Sequence, residues 1–131
     1  MGNDFDTGEC ITITRLGVFD SASDGLATPI TARLWDRSTG VELAAIEFAP
    51  DDGEPVGGSV FLELDEPVTL PAGFQGTISA EGYNDVEMNG NNLPELEVDS
   101  GGCAILFAGG GRFGDVPGEF PTNPDPGRLH R

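Results

Sequence analysis

Asp20 and Asp24, in the stretch FDSASDGL (residues 19–26), are the first side chains in this sequence whose type and spacing suit a chemistry, the binding of a hard cation. Carboxylates at alternating positions ahead of a glycine are how the EF-hand loop D-x-[DN]-x-[DN]-G-x5-E collects oxygens around Ca²⁺. Asp20, Asp24 and Gly25 take its first, fifth and sixth places. Ala22 stands where the second carboxylate belongs and Thr31 where the bidentate glutamate belongs, so the loop is not an EF-hand. Two readings stay open: a Ca²⁺ site of the kind β-sandwich loops build, completed by backbone carbonyls and other carboxylates, and an Asp-Gly turn in which Asp20 accepts local backbone N–H bonds.

Trp35 and Tyr83 are the only tryptophan and tyrosine, and both ring types stack on the apolar face of a sugar or anchor a core or rim. Trp35 lies opposite in parity to Ile30, Ala32 and Leu34, and Tyr83 sits in the loop-like EGYND. Both are candidate ligand-binding residues. Cys10 and Cys103 make an even count without a metal-type C-x-x-C spacing, which predicts a disulfide between the first strand and the last clear one; two buried thiols are the alternative.

Nothing equips the chain for catalysis in this reading. The single histidine, His130, is the penultimate residue, so a Ser-His-Asp or Cys-His arrangement lacks a base. AGGGRFG follows a strand pattern but precedes no helix signal and lacks the phosphate-loop lysine. Carboxylates are too many to single out a glycosidase pair.

Charge narrows the partners further. Against 23 acidic residues stand six basic ones, all arginine, for a net charge of -17. Such a surface repels phosphate backbones and anionic headgroups, leaving cations, neutral glycans and protein neighbours. It also repels itself, which fits either a salt-adapted source or charge kept for solubility. No run approaches the ~18 apolar residues of a membrane helix, and no signal-peptide pattern opens the chain, so an exported parent would have lost its signal.

The elements that must position these residues are short. Twenty glycines and ten prolines in 131 residues suit many strands and tight turns in one domain. Ile11 and Ile13 share one face while Leu16 and Val18 fall on the other parity, which predicts a bulge near Thr14–Arg15 or burial on both faces. Residues 30–35 alternate as a half-buried strand. VELAAIEF (41–48) contains good helix formers but is flanked by Thr39-Gly40 and Pro50-Asp51-Asp52-Gly53, so it reads as a strand. Further strands are expected at 59–64, 68–70, 74–81 and 103–108, with a brief edge strand at 93–98. The architecture predicted is an antiparallel β-sandwich, jelly-roll-like, of seven or eight strands over 1–108, followed by a Gly/Pro-rich tail or surface-lying extension, 109–131.

Gly2 and Phe5, the run from Ile11 to Asp20 (I-T-x-T-x-L-G-x-F-D), Asp24 to Leu26, and Leu34 to Asp36 together form a recognisable pattern, and PVTLPAGFQGTISAEGY (67–83) follows it loosely. On these residues the first half of the chain resembles a group of secreted bacterial β-sandwich modules of unknown function, often found in exported proteins with PEP-CTERM-type sorting tails. The resemblance implies an extracellular or cell-surface module without catalytic residues, its last strand missing or supplied by another segment. The expected function is a structural or interaction module whose partners are protein neighbours in a surface assembly; the alternative is a carbohydrate-binding module with a Ca²⁺-stabilised loop.

Overall fold

Glycine and proline interrupt this chain too often for helices, and almost everything between them is extended. The computed structural model describes residues 1–88, 101–114, 116 and 118–126. Nine strands are found there: β1 Gly2–Thr7, β2 Ile11–Phe19, β3 Ile30–Asp36, β4 Val41–Phe48, β5 Glu54–Val56, β6 Ser59–Leu70, β7 Gln75–Glu81, β8 Ile105–Phe113 and β9 Asn123–Pro126. A six-stranded sheet in the order β4-β3-β7-β1-β8-β9 packs on a three-stranded sheet, β2-β6-β5, and the pairings are antiparallel. The fold is an all-β antiparallel sandwich.

The phase change in β2 has the predicted cause. Its register against β6 shifts between Ile13 and Arg15, so Leu16 and Val18 turn inward after Ile13. Ile13 pairs with Val68 and Arg15 with Glu63, leaving residues 64–67 of β6 opposite Thr14 alone. Pro67 falls in that interruption, where no ladder N–H is required, and β6 therefore runs through as one strand instead of the two expected.

Between the sheets lie two apolar clusters. Leu16, Val18 and Val60 of the smaller sheet meet Ile30, Ala32 and Phe48 of the larger, with Leu26. Phe5, Leu34 and Leu70 form the second. Phe5 is completely buried, and its ring lies so close over Gly76 that any β-carbon there would overlap it. Thr7 fastens the other end of β1: its hydroxyl donates to Pro71 O at 2.6 Å and accepts from Phe74 N–H at 2.9 Å.

Three expectations need correction. No strand is expected ahead of Ile11, yet β1, Gly2–Thr7, is an interior strand between β7 and β8. The run 109–113, expected in the tail, continues β8, because its glycines are held between β1 and β9: Asn3 pairs with Gly111 and Gly110 with Pro126. Cys10 and Cys103 are exposed and not bridged. Their segments meet backbone to backbone, with Gly8 N–H donating to Ala104 O at 2.9 Å and Gly8 against the Cys103 carbonyl. The expected strand at 93–98 lies outside the described residues, as does His130. Among the described residues no helix is long and apolar enough to cross a membrane.

Truncating Phe5→Ala should lower stability by about 3–5 kcal/mol, as for a large ring removed from a closed core. Urea unfolding measures it; a loss under ~1 kcal/mol would show that β1 does not carry the core.

Candidate functional site

The loop after β2 is built around two buried carboxylates. Asp20 is 4% exposed and Glu87 1%. Gly25 N–H donates to Asp20 Oδ2 at 2.9 Å, the local turn bond. Glu87 reaches the same loop from the far side of the sequence and accepts Ser21 N–H on Oε1 at 2.7 Å and Ala27 N–H on Oε2 at 2.8 Å. Asn84 positions Glu87, since Asn84 Oδ1 accepts the amides of Val86 and Glu87 at 2.9 and 3.0 Å. Bending the chain around this carboxylate puts Ala22 and Ser23 at φ 66 and 53, where side chains other than glycine are uncommon.

Asp24, the other expected cation ligand, is exposed, and the structure joins Asp20 to Glu87 through the loop instead. Among the described residues no three His, Cys, Asp or Glu side chains gather to hold a metal. Both Glu87 oxygens already take amides, so the buried oxygen left for a cation here is Asp20 Oδ1, which has no hydrogen-bond partner among the described residues. Glu87 was missed because nothing in GYNDVEMNG distinguishes a buried glutamate from a solvated one.

Tyr83 closes the same corner. Its hydroxyl donates to Phe19 O at 2.9 Å and its ring packs on the first core cluster. Burial, reinforced by the charges of Glu87 and Asp20, raises the phenol well above its ordinary value of 10.0. The expected loop tyrosine is thus tied into the fold by its hydroxyl and ring.

Trp35 belongs to neither core cluster and lies on the opposite, outer face of the six-stranded sheet. That face is dense with paired charge. Arg33, Trp35 and Arg37 follow one another at alternating positions, and Trp35 Nε1–H donates to Ser79 Oγ at 2.7 Å. On one side Arg33 binds Glu42 and, at 2.6 Å, Glu81, and these hydrogen bonds, Glu81's first, raise the guanidinium above its ordinary value. On the other, Arg37 binds Asp6 at 2.5 Å, and Arg112 Nε–H spans both oxygens of Asp4 at 2.7 and 2.8 Å, where Thr77 also donates at 2.8 Å. Trp35 is only 4% exposed because Phe120, from the β8–β9 connection, meets it edge to face with centroids 5.7 Å apart. The alternation R-x-W-x-R was visible in the sequence; its cover was not.

On the inner side, β2 and β6 stand off β7 and β1, leaving a cavity of about 230 Å³ against Gly17, Phe61, Ile78 and Tyr83. Past Gly17, Phe61 and Ile78 it opens into a groove of about 740 Å³ along β2, the edge strand of the smaller sheet.

No family model matches the chain, and no solved structure matches it. Among curated proteins it is similar to the UDP-GalNAc:beta-1,3-N-acetylgalactosaminyltransferase 2 of Mus musculus, 32% identical over 111 residues that cover 84% of this chain and 22% of the transferase. The Homo sapiens protein of the same name is 31% identical over the same shares, and that of Xenopus laevis 34% over 95 residues, 70% of this chain and 19% of the transferase. The chain thus spans about a fifth of the length of the curated relatives it matches.

Replacing Glu87→Ala should deprive the Ser21 and Ala27 amides of their acceptor in a part-buried setting, at a cost of about 1–3 kcal/mol in all. Hydrogen exchange at those two amides should accelerate before that of β3 and β7; unchanged exchange would show that Glu87 does not hold the loop. For Tyr83, ionisation favours the unfolded chain, so the stability its protonated form confers is whole below pH 10.0 and is lost as pH rises above it toward the higher folded value. Tyrosinate absorbance should therefore appear together with unfolding; a reversible step near pH 10 in the folded protein would contradict the burial.

Proposed function

We propose that this chain is a non-catalytic β-sandwich module whose work is recognition, and that what it recognises is carbohydrate. One observation carries the reading: similarity extends over 84% of this chain but 22% of a sugar transferase, so what is shared has the size of a single domain. A unit of that size inside a longer sugar-handling polypeptide fits an accessory role, holding a glycan while chemistry proceeds elsewhere.

The charge distribution supports binding over turnover of a nucleotide sugar. A donor such as UDP-GalNAc carries a pyrophosphate, which a chain of net charge -17 repels. The four arginines among the described residues are each held by carboxylates. A neutral glycan meets no such barrier, and a sheet face that combines one indole with fixed hydrogen-bonding groups suits it.

A second reading, a structural or assembly module of an exported protein at the cell surface, is favoured by the β2 edge. Among the described residues no strand pairs with its outer side, which borders the 740 Å³ groove where a segment of a neighbouring protein would add as a further strand.

A glycan array that includes oligosaccharides ending in β-1,3-linked N-acetylgalactosamine, run beside light scattering and a UDP-release assay with UDP-GalNAc, separates these. Saturable glycan retention by a monomer, with no UDP released, is the expected result. Release of UDP would make the chain an enzyme, and self-association without glycan retention would transfer the assignment to the second reading.

A further inference from the structure

The outer face of the six-stranded sheet carries a finished polar surface beneath a covering segment. Three of the chain's six arginines, Arg33, Arg37 and Arg112, stand on it with Asp4, Asp6 and Glu81 in a protein of net charge -17. Each is oriented by its partner before any ligand arrives, and Trp35 lies between the two groups, its N–H fixed by Ser79. The cover is the β8–β9 connection, of which Gly114, Val116 and residues 118–122 are described.

Among the described residues the connection makes these contacts with the face. Gly118 N–H donates to Glu81 Oε2 at 2.9 Å, Phe120 touches Trp35, and the Arg112 guanidinium lies 5.4 Å from the Phe120 ring centre. Val116, Gly118 and Glu119 are exposed while Pro121 is buried, and an open crevice of about 40 Å³ lies between the connection and Arg33, Ser79 and Glu81. What the connection supplies at the centre is a six-membered ring on the indole, flanked by a guanidinium. A pyranose presents the same elements: an apolar face of ring C–H groups for the indole and hydroxyls for the carboxylates and guanidiniums around it.

We propose that the Trp35 face, bordered by Arg33, Glu81, Asp4 and Arg112, is a pyranose-binding platform that Phe120 occupies in the unliganded protein, so that a glycan binds by displacing the β8–β9 connection. The inference rests on the carbohydrate reading and adds to it the site and its internal competitor. Because the connection and the glycan exclude one another, apparent affinity equals intrinsic affinity reduced by the fraction of molecules with the face open. Loosening the connection must therefore tighten glycan binding.

Two variants loosen it without altering the platform. Phe120→Ala removes the ring. Gly118→Pro removes the N–H that Glu81 accepts and cannot adopt the φ of 81 found there. Trp35 is the only tryptophan, so its emission reports the cover directly. Each variant that remains folded by circular dichroism should shift Trp35 emission to the red, increase its quenching by acrylamide, and bind an array-selected oligosaccharide up to about tenfold more tightly, as expected if roughly a tenth of wild-type molecules are open. Binding by the variants alone would also support the proposal. If wild type binds and both variants bind equally or more weakly, the platform assignment fails while the carbohydrate reading stands. If none of the three binds any glycan, both fail. Unshifted emission in both variants would show that the connection does not cover Trp35, and would overturn the proposal whatever the binding.

Discussion

The place of β1 between β7 and β8 is the constraint from which the rest of the larger sheet follows. Six residues at the start of the chain, Gly2–Thr7, join two strands far along it, β7 at Gln75–Glu81 and β8 at Ile105–Phe113. Both faces of that strand are committed. Inward, Phe5 fills the second core cluster and requires glycine at position 76; outward, Asp4 binds Arg112 of β8 and Thr77 of β7 and stands 3.7 Å from Arg37, just past β3. One short strand thus aligns the core and the polar surface together.

Scarcity of positive charge shapes that surface. With 23 acidic residues and six arginines, most carboxylates must be left to solvent or satisfied by something other than a cation. Asp20 and Glu87 show the second solution, accepting backbone amides of the 20–27 loop instead of a guanidinium. The arginines are spent where strands must be tied side by side, three of the four described ones on the Trp35 face. Hydrogen bonds to ionised groups are stronger than neutral ones, so this face is held in one arrangement.

Patterning that depends on neighbours in sequence was legible. The parity change in Ile11–Val18 announced the β2 bulge, the alternation of Ile30, Ala32 and Leu34 announced the inner face of β3, and turn residues on both sides of 41–48 outweighed its helix formers. Features that depend on distant partners were not. GNDFDT has the composition of a loop, and only pairing on both sides makes it a strand. Gly109–Gly111 look unfit for a ladder until β1 and β9 are in place. The cysteines have the right count for a bridge, but the register brings backbone, not sulfur, together. Glu87 and Phe120 act on residues 60 or more positions away and leave no local trace.

The single indole N–H of Trp35 gives one resonance in a proton–nitrogen spectrum, and titrating the isotope-labelled protein with a bound oligosaccharide follows it directly. If the outer face of the six-stranded sheet is the binding surface, that resonance should move first, together with the amides of Ser79, Glu81 and Gly118. If it stays in place while shifts gather along 11–19 and 56–61, the glycan lies in the groove beside β2 and the Trp35 face is structural.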